Sequence, residues 1–150
     1  MFGGIGRALS HRDYLLYWSS NGINTIGRWM YRIAVGWLTW ELTESTTWLG
    51  IIAFAESFPL VVFSVLAGAI ADRVGYIRIT LLAQTATAIV AAAFAAMTIA
   101  GVITIELVLI SALLIGSLES LTTPARMALV HALVPKQDMA AAIALSSATF

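Results

Sequence analysis

Long apolar runs, interrupted at short polar intervals, set the pattern of this chain. The first covers residues 14–40 and stops at "ELTEST". The second covers residues 48–71 and stops inside "GAIADRVGYIR", Gly68 to Arg78. The third covers residues 77–99 and ends at a turn marked by Gly101. The fourth covers residues 103–125, with Pro124 near its end, and the polar "VPKQD" follows. A fifth starts at Met139 and is still incomplete as a span at Phe150. A hydrocarbon core of about 30 Å takes about 20 helical residues to cross, and four of the runs are that long. Inside a bilayer no water satisfies backbone N–H and C=O groups, so each run must be a helix. The intervals allow little more than a reversal, which makes consecutive helices antiparallel neighbours. The expected fold is all-α, an antiparallel transmembrane helix bundle.

Composition agrees with the pattern. Apolar residues are 60% of the 150 and charged residues only 11%, against about 45–50% and about 25% in soluble domains. A formal net charge of +0 offers no general attraction to nucleic acid. With no cysteine, disulfides, thiolate metal sites and cysteine catalysis are excluded. The N-terminal "MFGGIGRALSHRDY" lacks the short apolar core and small-residue cleavage site of a signal peptide. His11 and His131 stand alone, so no metal site is expected. No nucleophile–base grouping or phosphate loop occurs, and the chain reads as neither enzyme nor cofactor protein. Gly3, Gly4 and Gly6 follow no strand, so a flexible tail is expected there rather than a nucleotide fingerprint.

Loop charge fixes an expected orientation. Arg7, Arg12, Arg73, Arg78, Arg126 and Lys136 all fall on one side of the alternating spans. Glu41, Glu44 and Glu106 fall on the other, with no Lys or Arg. The N-terminus is therefore placed in the cytoplasm. Trp37, Trp40 and Trp48 would form an outer aromatic belt; Tyr14, Tyr17 and Trp18 would form the inner one.

A few polar residues lie where lipid should be. Arg28 and Arg32 fall inside the first run, and each costs about 2.5–3.5 kcal/mol at a helix centre. Asn21, Asn24, Thr25, Arg28 and Arg32 follow steps of three and four and share a face. That face is either half of a buried structural pair or the wall of a substrate pathway. Glu56 on the second run comes level with Arg32 when the hairpin folds about residue 44, and a pair with Arg32 or Arg28 is expected. Pro59 should kink this helix and free a carbonyl. Glu119 and Arg126, two turns apart, suggest a structural pair rather than a proton site. Ala83, Thr87, Ala91 and Ala95 form one small-residue ridge, and Ala112, Gly116 and Ser120 another, each suited to close helix contact. Gln84 and Thr85 are expected to hydrogen-bond between helices.

"GAIADRVGYIR" also resembles the signature of the major facilitator superfamily at the cytoplasmic turn between helices two and three. Gly68, Asp72, Arg73, Gly75 and Arg78 match it; Tyr76 and Ile77 stand where the family usually has Arg or Lys. "WLTWELTEST" and "PARMALVHALVP" look like the drug-efflux and siderophore-exporting, enterobactin-exporter-like branch. The resemblance covers nearly the whole chain. It implies about twelve helices in two halves with the substrate between them. The chain would then be an N-terminal fragment, with the first four helices and the start of the fifth, partnered by a missing C-terminal part. By the same resemblance, Gly68, Asp72, Arg73, Gly75 and Arg78 form a conformational-switch loop, against the plainer reading of a topogenic loop. Gly68 would allow close helix approach, and Asp72 would pair with a base or cap a helix. Asn21, Asn24, Arg28, Arg32 and Glu56 would line the substrate cavity. The expected activity is proton-coupled, alternating-access export of a small amphiphilic molecule across a bacterial inner membrane, with the lipid bilayer and the small-molecule substrate as partners. The rival reading is a small, non-transporting multi-pass membrane protein that acts as an assembly partner.

Overall fold

The structure, a computed structural model, describes residues 12–133. Four helices follow one another: α1 (Arg12–Thr43), α2 (Thr46–Val74), α3 (Tyr76–Ile99) and α4 (Ile105–Leu133). No strand occurs among the described residues. The architecture is the all-α arrangement that the apolar runs require. The expected fifth helix, Arg7, His11 and Lys136 lie outside the described residues, as does the side chain of His131.

The breaks between helices are shorter than the polar stretches that mark them. "ELTEST" shrinks to Glu44 and Ser45, because α1 runs through Glu41 to Thr43 and α2 already starts at Thr46. Glu44 takes a left-handed φ of 47°, and its N–H donates to the Trp40 carbonyl at 2.7 Å. The Thr43 hydroxyl accepts the Ser45 N–H at 3.3 Å. Between α2 and α3 the break is the single residue Gly75. The third break, residues 100–104, is closed by Val102 N–H donating to Met97 carbonyl at 3.1 Å.

Both helix-interior prolines are tolerated. α2 is continuous through Pro59. α4 runs past Pro124 to Leu133, eight residues beyond the expected end at 125 (133 − 125). A proline removes one N–H from the ladder. In α4 the hydroxyls of Thr122 and Thr123 both donate to the Glu119 carbonyl, at 3.1 and 2.9 Å, within the turn before the proline. The carbonyl left without its ladder donor by Pro124 is that of Ser120, so these bonds brace the neighbouring carbonyl and do not replace the missing one.

The chain divides into two compact units, each described by itself. The larger is Tyr31–Arg126. Its core brings together Val35 from α1, Ile52 and Ala55 from α2, Phe94 from α3, and Val108 and Ala112 from α4. Tyr31, Leu38, Ile103, Ile105 and Leu109 pack around them. A second cluster joins Ala71, Ile79 and Ala125, with Tyr76 and Leu121 against it. In the other unit, described at residues 12–30 and 127–133, Tyr14, Asn21 and Thr25 are buried on one stripe of α1. Tyr14 is fully enclosed rather than placed in an aromatic belt, because its position seven before Asn21 puts it on this inward stripe.

Outside these cores the helices are apolar. Val61, Ile33, Trp37 and Ile99 are among many large hydrophobic residues left exposed, far more than a water-soluble surface carries. Thr46–Ser64, Tyr76–Ile99 and Ile105–Arg126 are each long and apolar enough to cross a membrane. The α4 segment is 39% buried, against 22% and 17% for the α3 and α2 segments, so α4 is the inner helix of the three. At 32 residues, or about 48 Å, α1 is long enough to span. Its polar stripe keeps it below the apolar level of the other three.

Candidate functional site

The polar cluster of the larger unit is built from α1, α2 and α4. On α2, Ile52, Ala55 and Pro59 face inward at helical spacing, and Glu56 sits at the edge of that face, half-buried. Its Oε1 accepts the Arg32 Nε–H at 2.8 Å. This is the expected α1–α2 pair, and Arg32 is the partner. The two ends differ in exposure: the Arg32 side chain is 52% accessible and that of Glu56 21%. The glutamate side chain is the more enclosed of the two.

Gly116 explains how α4 approaches this pair. A Cβ placed there would lie 2.2 Å from the Glu56 carbonyl oxygen, so the α2 backbone rests directly on a residue with no side chain. Ala112, Gly116 and Ser120 are all buried, and the small-residue ridge of α4 is the contact surface expected of it. The α3 ridge is only partly so. Ala83 is buried, but Ala95 is exposed and the larger Phe94 points into the core instead. Thr85 bonds the Leu81 carbonyl of its own helix at 2.8 Å, not a neighbouring helix as expected. A back-bond of this kind satisfies a threonine hydroxyl locally.

Tyr31 adds a second α1–α4 link. Its hydroxyl lies 3.0 Å from Ser111 Oγ. Ser111 gives its own proton to the Val108 carbonyl at 2.8 Å, so Tyr31 is the donor to Ser111. The Tyr31 ring meets Phe94 edge-on at 5.6 Å. The hydrophobic pattern does not single out Tyr31 or Ser111: one is a single aromatic residue in an apolar run, the other a lone serine in α4.

The remaining cavity candidates belong to the first unit and have their own surroundings. Asn21 is buried and Asn24 half-buried. Arg28 is also half-buried, and its Nη2 lies 3.5 Å from Thr25 Oγ1 on the same helix. Among the expected cavity residues, Arg32 and Glu56 meet directly across helices.

At the α2–α3 corner, Gly75 takes φ 93°, which L side chains rarely adopt. Its N–H donates to the Ala71 carbonyl at 3.0 Å, and its carbonyl accepts the Ile79 N–H at 3.1 Å. One residue thus closes α2 and opens α3. Asp72, Arg73 and Arg78 are exposed. Asp72 accepts a hydrogen bond from the Tyr76 hydroxyl, so its partner among the described residues is a phenol, not the base or helix N-terminus expected. Tyr76 stands four residues on, one helical turn across the corner. Gly68 has no atom of another element within 4 Å of a Cβ placed on it, so the close approach expected there occurs at Gly116 instead.

A separate pair stiffens α4. Arg126 Nη2 donates to Glu119 Oε2 at 2.7 Å and lies 3.4 Å from Thr122 Oγ1. Arg126 is buried, and the pair bridges the proline at 124, in keeping with a structural role. Among the described residues no three His, Asp or Glu side chains gather as a metal site would need.

Exposed apolar helices, joined by turns of a few residues and linked by an ion pair between α1 and α2, define a multi-pass membrane protein. The chain belongs to the major facilitator family described as "Transmembrane secretion effector", whose model matches residues 7–150. It is also similar to the Staphyloferrin A transporter of Staphylococcus aureus (strain NCTC 8325 / PS 47). The two are 29% identical over 132 residues, which is 87% of this chain and 33% of that relative. The chain therefore spans about a third of the relative's length. No solved structure matches it.

Proposed function

We propose that this chain is the N-terminal part of a secondary transporter that exports a small amphiphilic molecule, drug-like or siderophore-like, by proton-coupled alternating access. The reading rests on the family and on one structural observation: an arginine–glutamate pair linking two helices at the expected depth of a membrane. Ionised groups at such depth are costly and mark substrate or ion routes. In this reading Asn21, Asn24, Arg28, Arg32 and Glu56 contribute to a cavity that the rest of the transporter completes. The Gly68–Arg78 segment is the cytoplasmic switch, with Asp72, Arg73, Gly75 and Arg78 at its corner, and the N-terminus lies in the cytoplasm of a bacterial inner membrane. The name of the similar S. aureus protein supports a siderophore-like cargo.

The test is accumulation of fluorescent amphiphiles in cells expressing the full gene product. Lower accumulation than in cells lacking the gene, restored by a proton uncoupler, is the expected result. Equal accumulation of every dye would count against export.

A further inference from the structure

We propose that Tyr76 is a positioning residue: its hydroxyl aims the Asp72 carboxylate at the Gly75 corner, and its ring, seated on α4, keeps that aim. This rests on the exporter reading, in which the Gly68–Arg78 segment is the cytoplasmic switch, and names the residue that presents the acid of that switch.

The contact follows from the way the corner is closed. The Gly75 N–H bonds the Ala71 carbonyl, and the Gly75 carbonyl accepts the Ile79 N–H. Four-residue bonding is thus kept across a break whose φ is 93°. Asp72 and Tyr76 are four residues apart and meet as such pairs do on a helix, with the Tyr76 hydroxyl donating to Asp72 Oδ1. Arg73 leaves α2 about 100° round from Asp72, so the base that follows the acid in sequence does not face it.

Packing makes the donor rigid. The Tyr76 ring is half-buried against Ala71 and Ile79 on the two sides of the corner and Ala125 of α4. Leu121, one turn before Ala125, packs on the same cluster. The Thr80 hydroxyl donates to the Tyr76 carbonyl at 2.8 Å. A seated ring has fewer torsions to fix than a Lys or Arg side chain, so less freedom is lost in holding the bond. The choice of donor also decides the charge. A base would bring a positive charge to the carboxylate it holds, whereas a phenol donates a hydrogen bond and adds none. The direction of Asp72 then depends on how the corner sits on α4, since a shift of α4 would move the ring and carry the carboxylate with it.

The test separates the hydroxyl from the ring in the full-length transporter. Export is followed in proteoliposomes with ethidium and fluorescein, one cationic and one anionic dye. Tyr76→Phe keeps the ring on α4 and removes the hydroxyl. It is expected to lower the maximal rate about threefold to tenfold, with the dye concentration at half-maximal rate unchanged. Its thermal midpoint should stay within about 2 °C, whereas Tyr76→Ala, which loses the ring as well, should lower rate and midpoint together. In an Asp72→Ala background, Tyr76→Phe should cost nothing further. A second readout needs no transport. Fluorotyrosine placed at position 76 alone, with the protein in nanodiscs, should shift its fluorine resonance on Asp72→Ala and hold it on Arg73→Gln. Full export by Tyr76→Phe overturns the proposal. So does an equal loss in the Asp72→Ala background, or a resonance that ignores Asp72→Ala or follows Arg73→Gln as strongly. Should Asp72→Ala export nothing, or neither dye be carried, the fluorine arm decides alone. No export with a resonance that answers to Asp72 would sink the exporter and leave the contact standing. Export with no such answer would do the reverse.

Discussion

Arg32 and Glu56 show what a single contact does in a bundle with few charges. Truncating either alone takes from the other its partner across the α1–α2 hairpin, whereas removing both takes away the two charges together. Glu56→Ala and Arg32→Ala are each expected to destabilise the protein. The double variant should lose less than the sum of the two, by about 0.5–3 kcal/mol of coupling, measured by thermal unfolding of the purified protein. Two glycines give a sharper contrast. Gly116→Ala places a methyl 2.2 Å from the Glu56 carbonyl oxygen and should cost about 1–3 kcal/mol by overpacking. Gly68→Ala meets no neighbouring element and should be neutral or gain up to about 1 kcal/mol of helix propensity. The same unfolding measurement checks both, and equal losses at the two positions would contradict the assigned contact.

At the scale of helices and turns, much is legible in the amino-acid order itself. Apolar runs place four helices to within a few residues, because only a helix satisfies its own backbone in lipid. Hairpin arithmetic about residue 44 brings Glu56 to Arg32, since both helices rise by the same amount per residue. Other features depend on neighbours that spacing does not encode. The apolar run behind α4 extends just past Pro124 to about residue 125, yet the helix continues to Leu133, a length that the run does not encode. Gly68 and Gly116 look alike in sequence, and only packing distinguishes the one in open space from the one under a backbone. Asp72 beside Arg73 suggests an ion pair, whereas i,i+4 geometry gives it to Tyr76 instead. Tyr31 and Ser111 carry no pattern at all. The α2–α3 corner supplies a prediction at this scale. Gly75 bears φ 93°, so Gly75→Ala should cost about 1–3 kcal/mol of backbone strain. It should lower the midpoint of thermal unfolding, and an unchanged midpoint would mean the corner relaxes easily.

For the whole molecule, the central claim is that these helices cross a bilayer in alternation, with the Glu44–Ser45 turn on the outer side and the Gly75 corner in the cytoplasm. Everything proposed about cargo and coupling depends on that arrangement, because it decides which charges meet water and which are confined between helices. The chain contains no cysteine, so a single introduced thiol reports its own position. Thr46→Cys and Val74→Cys are both exposed positions that leave the formal charge unchanged. The direct measurement is labelling of each in intact cells with a membrane-impermeant maleimide. Thr46→Cys should react at once, and Val74→Cys only after the membrane is permeabilised. Labelling of Val74→Cys in intact cells, or protection of Thr46→Cys, would contradict it.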